Sequence, residues 1–162
     1  MAEGNGLGLE FRINDAGSLA AFAALNRRWI EQYHEMEESD LRMVADPALY
    51  TRGGGRVITA HLDGRVAGAV ALKPHENGGE VRWELTKMAV DPAFHGQGIG
   101  GALLEEAHRV ARDEIGAEEL FLLSNTVLEA AQRLYRRHGW EVNHRGAHPV
   151  YARANIGMKK VL

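Results

Sequence analysis

The sequence contains no cysteine, no long apolar run and no excess of basic residues. Without cysteine there is no disulfide, no thiolate zinc site and no cysteine nucleophile, and a reducing compartment is favoured. No apolar run approaches the roughly 20 residues that span a bilayer, and no basic segment followed by an apolar one indicates a signal peptide. The net charge is −3, and no basic stretch interleaves with aromatics. We therefore expect a cytoplasmic protein that binds neither membranes nor nucleic acid.

The 162 residues are predicted to form one domain, residues 1–162, because the chain has no repeat, no low-complexity segment and no linker. Apolar periodicity predicts the element order β-α-α-β-β-β-α-β-α-β-β. Asp63-Gly64 joins two strand-like segments and is typical of a hairpin turn in which both residues have positive φ. Thr126 and Glu129 match a helix capping box, and a last strand is expected over Tyr151–Lys160. This order indicates a mixed sheet in an α/β (α+β-like) domain.

A glycine-rich segment, His95–Gly101, lies between a long strand at Glu80–Val90 and an amphipathic helix at Ile99–Ile115. Glycines let the backbone approach a ligand, and the free N–H groups of a helix N-terminus favour phosphate. The segment therefore predicts a phosphate cradle, the alternative being a simple turn. The spacing also satisfies GxGxxG, but the acid expected about 20 residues later precedes a strand instead of closing one, which disfavours a nicotinamide or flavin oxidoreductase. No Gly-Lys-Ser/Thr follows, so a P-loop is excluded.

Three segments between about residues 80 and 142 resemble the signature of the GNAT superfamily of N-acetyltransferases. They read ELTKMAVDP, HGQGIGGALL, and SNT followed by AAQRLY and GW. One position departs from the usual pattern, because His95 stands where Arg or Gln is common. The resemblance implies the GNAT fold, a mixed, mostly antiparallel sheet of about seven strands flanked by four helices. In that fold the sheet is splayed between its fourth and fifth strands.

The resemblance implies acetyl-CoA as the cosubstrate. The pantetheine arm would pair with the strand backbone, and the diphosphate would lie on the glycine segment. The implied contacts are Met88, Ala89, Val90, His95, Gly96, Gln97, Gly98, Ile99, Gly100, Gly101 and Asn125. For Asn125 a second interpretation stays open, that of a loop residue beside the following helix.

An amine that attacks a thioester must lose a proton, because alkyl amines are protonated at neutral pH. Glu84 matches the family's general base, and the alternatives are a solvated side chain or a salt bridge to Arg82 or Lys87. Strand alternation puts Glu84, Thr86 and Met88 on one face, unless a bulge changes the parity after residue 86. Tyr135 matches the general acid of the family, with helix packing as its alternative role.

The eight histidines form no metal-binding pattern, so no metal is predicted. We expect a small-molecule or amino-acid-like amine as acceptor. A protein lysine or N-terminus, or a non-catalytic acyl-CoA-binding module, remains an alternative. Arg153 is a candidate partner for an acceptor carboxylate, although exposure is the commoner fate of an arginine. The acidic run Glu35–Asp40 is expected to be an exposed helix junction. Many members of the family form dimers, so a homodimer is a further possibility that the resemblance implies.

Overall fold

A computed structural model describes residues 7–149 and 153–162. Within these residues, seven strands and four α-helices alternate nearly as the sequence predicts. The strands are β1 Glu10–Ile13, β2 Arg56–Leu62, β3 Arg65–Asn77, β4 Glu80–Val90, β5 Glu119–Ser124, β6 Glu141–Arg145 and β7 Ile156–Val161; the helices are α1 Leu19–Tyr33, α2 Glu38–Ala45, α3 Ile99–Arg109 and α4 Glu129–Arg137. A π-helical segment, Val110–Ile115, continues α3 and ends at Gly116, which has a positive φ.

All the strands form one sheet in the order β1-β2-β3-β4-β5-β7-β6. Every neighbouring pair is antiparallel except β4 and β5, which are parallel. The prediction of a mixed, mostly antiparallel sheet flanked by four helices is confirmed. The Asp63-Gly64 hairpin is also confirmed, since both residues have positive φ, 51° and 76°.

Strand alternation divides the apolar residues between two faces of the sheet. On β3, Ala69 and Ala71 pack with α1 and α2, in a cluster that includes Phe22 and Met43. Val70 and Leu72, the residues between and after them, face the larger cluster that contains α3. A strand buried on both faces needs apolar residues at every position, which explains the unbroken apolar run of β3.

Two local predictions are wrong. Thr126 does not cap α4, because the helix begins at Glu129 and its N-cap residue is Leu128; the Thr126 hydroxyl instead accepts a hydrogen bond from the Asn155 side chain at 3.0 Å. The last strand begins at Ile156 instead of Tyr151, and Tyr151 lies outside the described residues.

Candidate functional site

The parallel strands β4 and β5 stay together over a very short length. Only Trp83 with Leu120 and Glu84 with Phe121 face each other in register. Beyond Glu84 the two strands separate, which confirms the predicted splay. A cavity of about 570 Å³ fills the gap, a volume in the usual range for small-molecule sites. Its walls come from β4, the end of β5, α1, α4 and the N-terminus of α3.

A β-bulge interrupts β4 beside this cavity. The register changes from Ala71 opposite Thr86 to Ala69 opposite Ala89, so β4 carries one extra residue there. Lys87, within the bulge, has a φ of 55°, which is uncommon for a non-glycine residue. Met88 then packs against the core on the α3 side. The expectation that Met88 shares a face with Glu84 is therefore wrong, and the reason is the parity change that the bulge produces.

The residues after the bulge leave one strand edge without a partner strand. Ala89 and Val90 pair with β3, but neither has a register partner on β5. Unpaired strand N–H and C=O groups need hydrogen-bond partners. An extended ligand that contains amide groups is suited to such an edge.

The glycine segment leads directly from this strand to α3. Gly96 and Gly98 both have a φ of 80°, a left-handed conformation that glycine adopts without strain. The first intrahelical bond runs from the Ala102 N–H to the Gly98 carbonyl, so the N–H groups of the first turn remain available for an anion. The His95 Nε2 atom lies 3.2 Å from the Val90 carbonyl oxygen and so tethers the segment to the end of β4.

All but one of the predicted cofactor-binding residues line the cavity; the exception is Gln97. Gly100 and Gly101 allow α3 to approach α4 closely. A methyl group on Gly100 would lie 3.3 Å from Leu134, and one on Gly101 would lie 3.1 Å from His138. The predicted contacts other than Gln97 thus lie around one cavity, and their binding of a cofactor stays a prediction.

Glu84 lies in the cavity wall with only 7% of its surface exposed. Its Oε1 atom is 2.8 Å from the Nε2 atom of His75, on the neighbouring strand β3. The salt bridges considered for Glu84 are not formed, since Arg82 lies over the Phe121 ring and Lys87 binds Asp40. Sequence reasoning missed His75, whose only signal is its place in the β3–β4 hairpin.

Tyr135 of α4 also lines the cavity and packs against the Trp140 ring. Burial raises the pKa of the Tyr135 hydroxyl to about 12. A tyrosine with this pKa keeps its proton throughout the neutral range, although the same shift makes it a weaker acid than an exposed tyrosine.

The Asn125 side chain is used within the protein. Its Nδ2 atom donates to the Arg153 carbonyl at 2.6 Å, and its Oδ1 atom accepts from the Val127 N–H at 3.0 Å. Asn125 lines the cavity as well, so its position fits both roles considered for it, and these hydrogen bonds support the role in the loop.

A buried ion-pair cluster lies beside the bulge. The Asp40 side chain is fully buried and receives hydrogen bonds from Lys87 at 2.7 Å and from Arg153 at 2.8 and 3.1 Å. Burial opposes the ionisation of Asp40, but the bonds from Arg153 and Lys87 outweigh it and lower the pKa from 3.8 to about 2. The expectation that the acidic run is exposed is therefore wrong at Asp40. Arg153, a candidate for binding an acceptor carboxylate, binds this one instead.

Among the described residues, no three His, Asp or Glu side chains converge in a way that would hold a metal ion. No helix in that part of the chain has the length and apolar character that a membrane span requires.

Residues 53–142 match the acetyltransferase (GNAT) domain family. An uncharacterized N-acetyltransferase of Mycobacterium tuberculosis is 33% identical over 87 residues, which are 54% of this chain and 53% of that protein. A mycothiol acetyltransferase of Salinispora arenicola is 31% identical over 124 residues, which are 74% of this chain and 40% of that protein. The chain thus spans about half, or less, of the length of these relatives.

Solved structures agree on the fold. A GNAT acetyltransferase from Staphylococcus aureus superposes with a TM-score of 0.79 at 17% identity, over 96% of this chain and 99% of that one. The PaiA N-acetyltransferase from Thermoplasma acidophilum, solved in complex with coenzyme A, has a TM-score of 0.71 at 18% identity over the same shares. At these identities the likeness concerns the fold alone.

Proposed function

The chain belongs to the GNAT family of acetyltransferases, and from that membership we propose that it acetylates the primary amine of a small-molecule or amino-acid-like acceptor. Acetyl-CoA is the proposed acetyl donor, and the amine attacks it directly in a ternary complex. One observation carries the proposal. A strand edge without a partner, Ala89–Val90, leads into a glycine-lined helix N-terminus in a cavity that also contains a buried carboxylate, Glu84.

Coenzyme A consists of a diphosphate and an extended arm that contains amides, and the residues present fit both parts. Gly96 and Gly98 allow the backbone to turn so that the N–H groups of the first turn of α3 face an anion. The free edge of β4 supplies N–H and C=O groups for the amides of the arm. When bound, acetyl-CoA supplies an activated acyl group as a thioester.

We assign the proton transfers to Glu84 and Tyr135. Glu84 removes the proton that the attacking amine must lose as its nitrogen forms the new bond to the acetyl carbon. The Val90 N–H, which faces away from β3, donates to the acetyl oxygen, which gains negative charge as the bond forms. Tyr135 gives its proton to the sulfur as the carbon–sulfur bond breaks. The products are the acetylated amine and a free thiol; solvent then takes the proton from Glu84 and returns one to Tyr135.

The proposal is tested by measuring free thiol release from acetyl-CoA against a panel of amines. We expect Glu84→Gln to lower kcat by about 10²- to 10⁴-fold, and Tyr135→Phe to lower it by a smaller factor, with little change in coenzyme A affinity. Glu141→Gln, an exposed strand position away from the cavity, is the matched control. If both variants keep full activity across pH, the catalytic assignment is wrong. If the protein binds coenzyme A but releases no thiol from acetyl-CoA with any amine of the panel, a non-catalytic acyl-CoA-binding module would be favoured instead.

A further inference from the structure

Lys73 stands directly opposite Glu84 in the β3–β4 pair. Side chains of directly opposed residues on antiparallel strands project from the same face, and both of these line the cavity. The Lys73 ammonium lies 5.8 Å from the centre of the Tyr50 ring. Cation–π contact of this kind fixes the position of an ammonium group without neutralising its charge.

No carboxylate in the described part of the chain forms an ion pair with Lys73. Two acids of this region are used by other groups, since Glu84, directly opposite Lys73, bonds to His75, and Asp40 is enclosed by Lys87 and Arg153. A half-buried lysine that is not neutralised by an acid of the described chain is available to an anionic group of a ligand.

The charges around this end of the cavity favour an acceptor that carries a negative group. Glu84 is the only carboxylate on the cavity wall among the described residues, whereas several cationic side chains lie on it. Two of these cations, Lys87 and Arg153, share the single buried charge of Asp40. These cationic side chains would repel a polyamine, whereas they would attract the carboxylate of an amine that carries one.

Lys73, on β3, lies too far from the C-terminal end of β4 to serve the diphosphate. Its partner Glu84 precedes Val90 by six residues, which is about 20 Å of extended strand, and the glycine segment follows Val90. Lys73 therefore lies at the end of the cavity near Glu84, where the acceptor amine would bind.

We propose that Lys73 binds a carboxylate of the acceptor while Glu84 faces its amine, so that the acceptor is an amino acid or a close analogue instead of a polyamine. This inference rests on the proposed acetyl transfer. It makes Lys73 a specificity-determining residue, and Tyr50 positions its ammonium group.

The experiment compares amines that differ only in the carboxylate. The twenty L-amino acids and their amides are assayed with acetyl-CoA for thiol release, and spermidine is included as a polyamine acceptor. For the preferred amino acid, we expect kcat/KM to exceed that of its amide by about 10- to 100-fold, which is the usual effect of a charge-assisted hydrogen bond. Lys73→Met should abolish that preference, mainly through KM, and Lys73→Arg should restore part of it. Lys159→Met, a half-buried lysine of β7 outside the cavity, is the control.

Calorimetric titration of the same amino acids into the coenzyme A-loaded protein gives a readout that does not depend on turnover. If the wild type binds an amino acid and Lys73→Met does not, the inference is supported even when no amine is acetylated. The absence of acetylation would contradict only the proposal of acetyl transfer. The inference is overturned if amides or spermidine are used as well as amino acids. It is also overturned if Lys73→Met keeps the preference, or if no amino acid either binds or is acetylated.

Discussion

Replacing Asp40 by Asn should destabilise the fold and remove part of its sensitivity to acid. The Asp40 carboxylate is fully buried and binds Lys87 and Arg153, whose side chains are 12% and 24% exposed. Asparagine has the same shape but no charge, so two cations would remain in a half-buried site without a counter-charge. Breaking a fully buried ion pair typically costs 3–5 kcal/mol. Because both cations reach solvent in part, we expect a loss of about 2–3 kcal/mol at pH 7.

The pKa of Asp40 gives the pH dependence. The carboxyl titrates near 3.8 when unfolded and near 2 when folded. A lowered folded pKa stabilises the protein above the unfolded pKa, and this stabilisation is lost as pH falls toward the folded value. At about 1.4 kcal/mol per pKa unit, the ionised Asp40 stabilises the folded state by about 2 kcal/mol. The free energy of unfolding of the wild type should fall toward that of Asp40→Asn by this amount between pH 5 and pH 2.

Urea unfolding at a series of pH values, followed by circular dichroism, measures both quantities. Other carboxyl groups also titrate in this range, but they do so in both proteins, so the difference between the two curves isolates Asp40. Asp113→Asn is the control, because Asp113 is exposed and its ion pair with the neighbouring Arg112 lies on the surface, so the unfolding free energy of this variant should differ little from that of the wild type. A constant difference between wild type and Asp40→Asn from pH 5 to pH 2 would refute the reasoning.

Two further predictions, on Gly98 and on His75, test the site. Gly98→Ala places a methyl group at a φ of 80°, so it should cost about 1–2 kcal/mol and weaken coenzyme A binding at least about tenfold. Gly116→Ala at a φ of 79°, remote from the cavity, should cost similar stability in urea unfolding but leave that affinity unchanged. His75→Leu removes the hydrogen bond that orients Glu84 and should lower kcat about tenfold, whereas His75→Gln keeps a donor and should restore most of it. Equal kcat values for the two His75 variants, with unchanged KM for acetyl-CoA in both, would show that this bond does not orient Glu84.

The features that were predicted correctly from the sequence depend on residues that are adjacent along the chain. Asp63-Gly64 makes a tight hairpin because both residues tolerate positive φ, whatever surrounds them. The glycine segment lies at the N-terminus of α3 because its conformation is set by Gly96 and Gly98 themselves. Such features follow from a few consecutive residues, so that a single sequence is enough to place them.

The features that the sequence could not predict are contacts between distant segments. Asp40 lies 47 residues from Lys87 and 113 from Arg153, so no local pattern joins them. Read alone, the acidic run predicted solvent exposure. The contact between the Thr126 hydroxyl and Asn155, 29 residues away, is equally invisible to a local pattern.

The bulge on β4 explains why these distant contacts matter for the site. With strict alternation, Met88 would project toward α1 and α2 with Glu84, and the strand could continue in register. The extra residue instead directs Lys87 to Asp40, and Met88 packs into the opposite core. The next residue, Ala89, opposes Ala69 and therefore lies on the same face as Glu84. Because Lys87 holds a φ of 55° only while surrounding contacts maintain it, the Asp40 cluster supports the backbone where acetyl transfer is proposed.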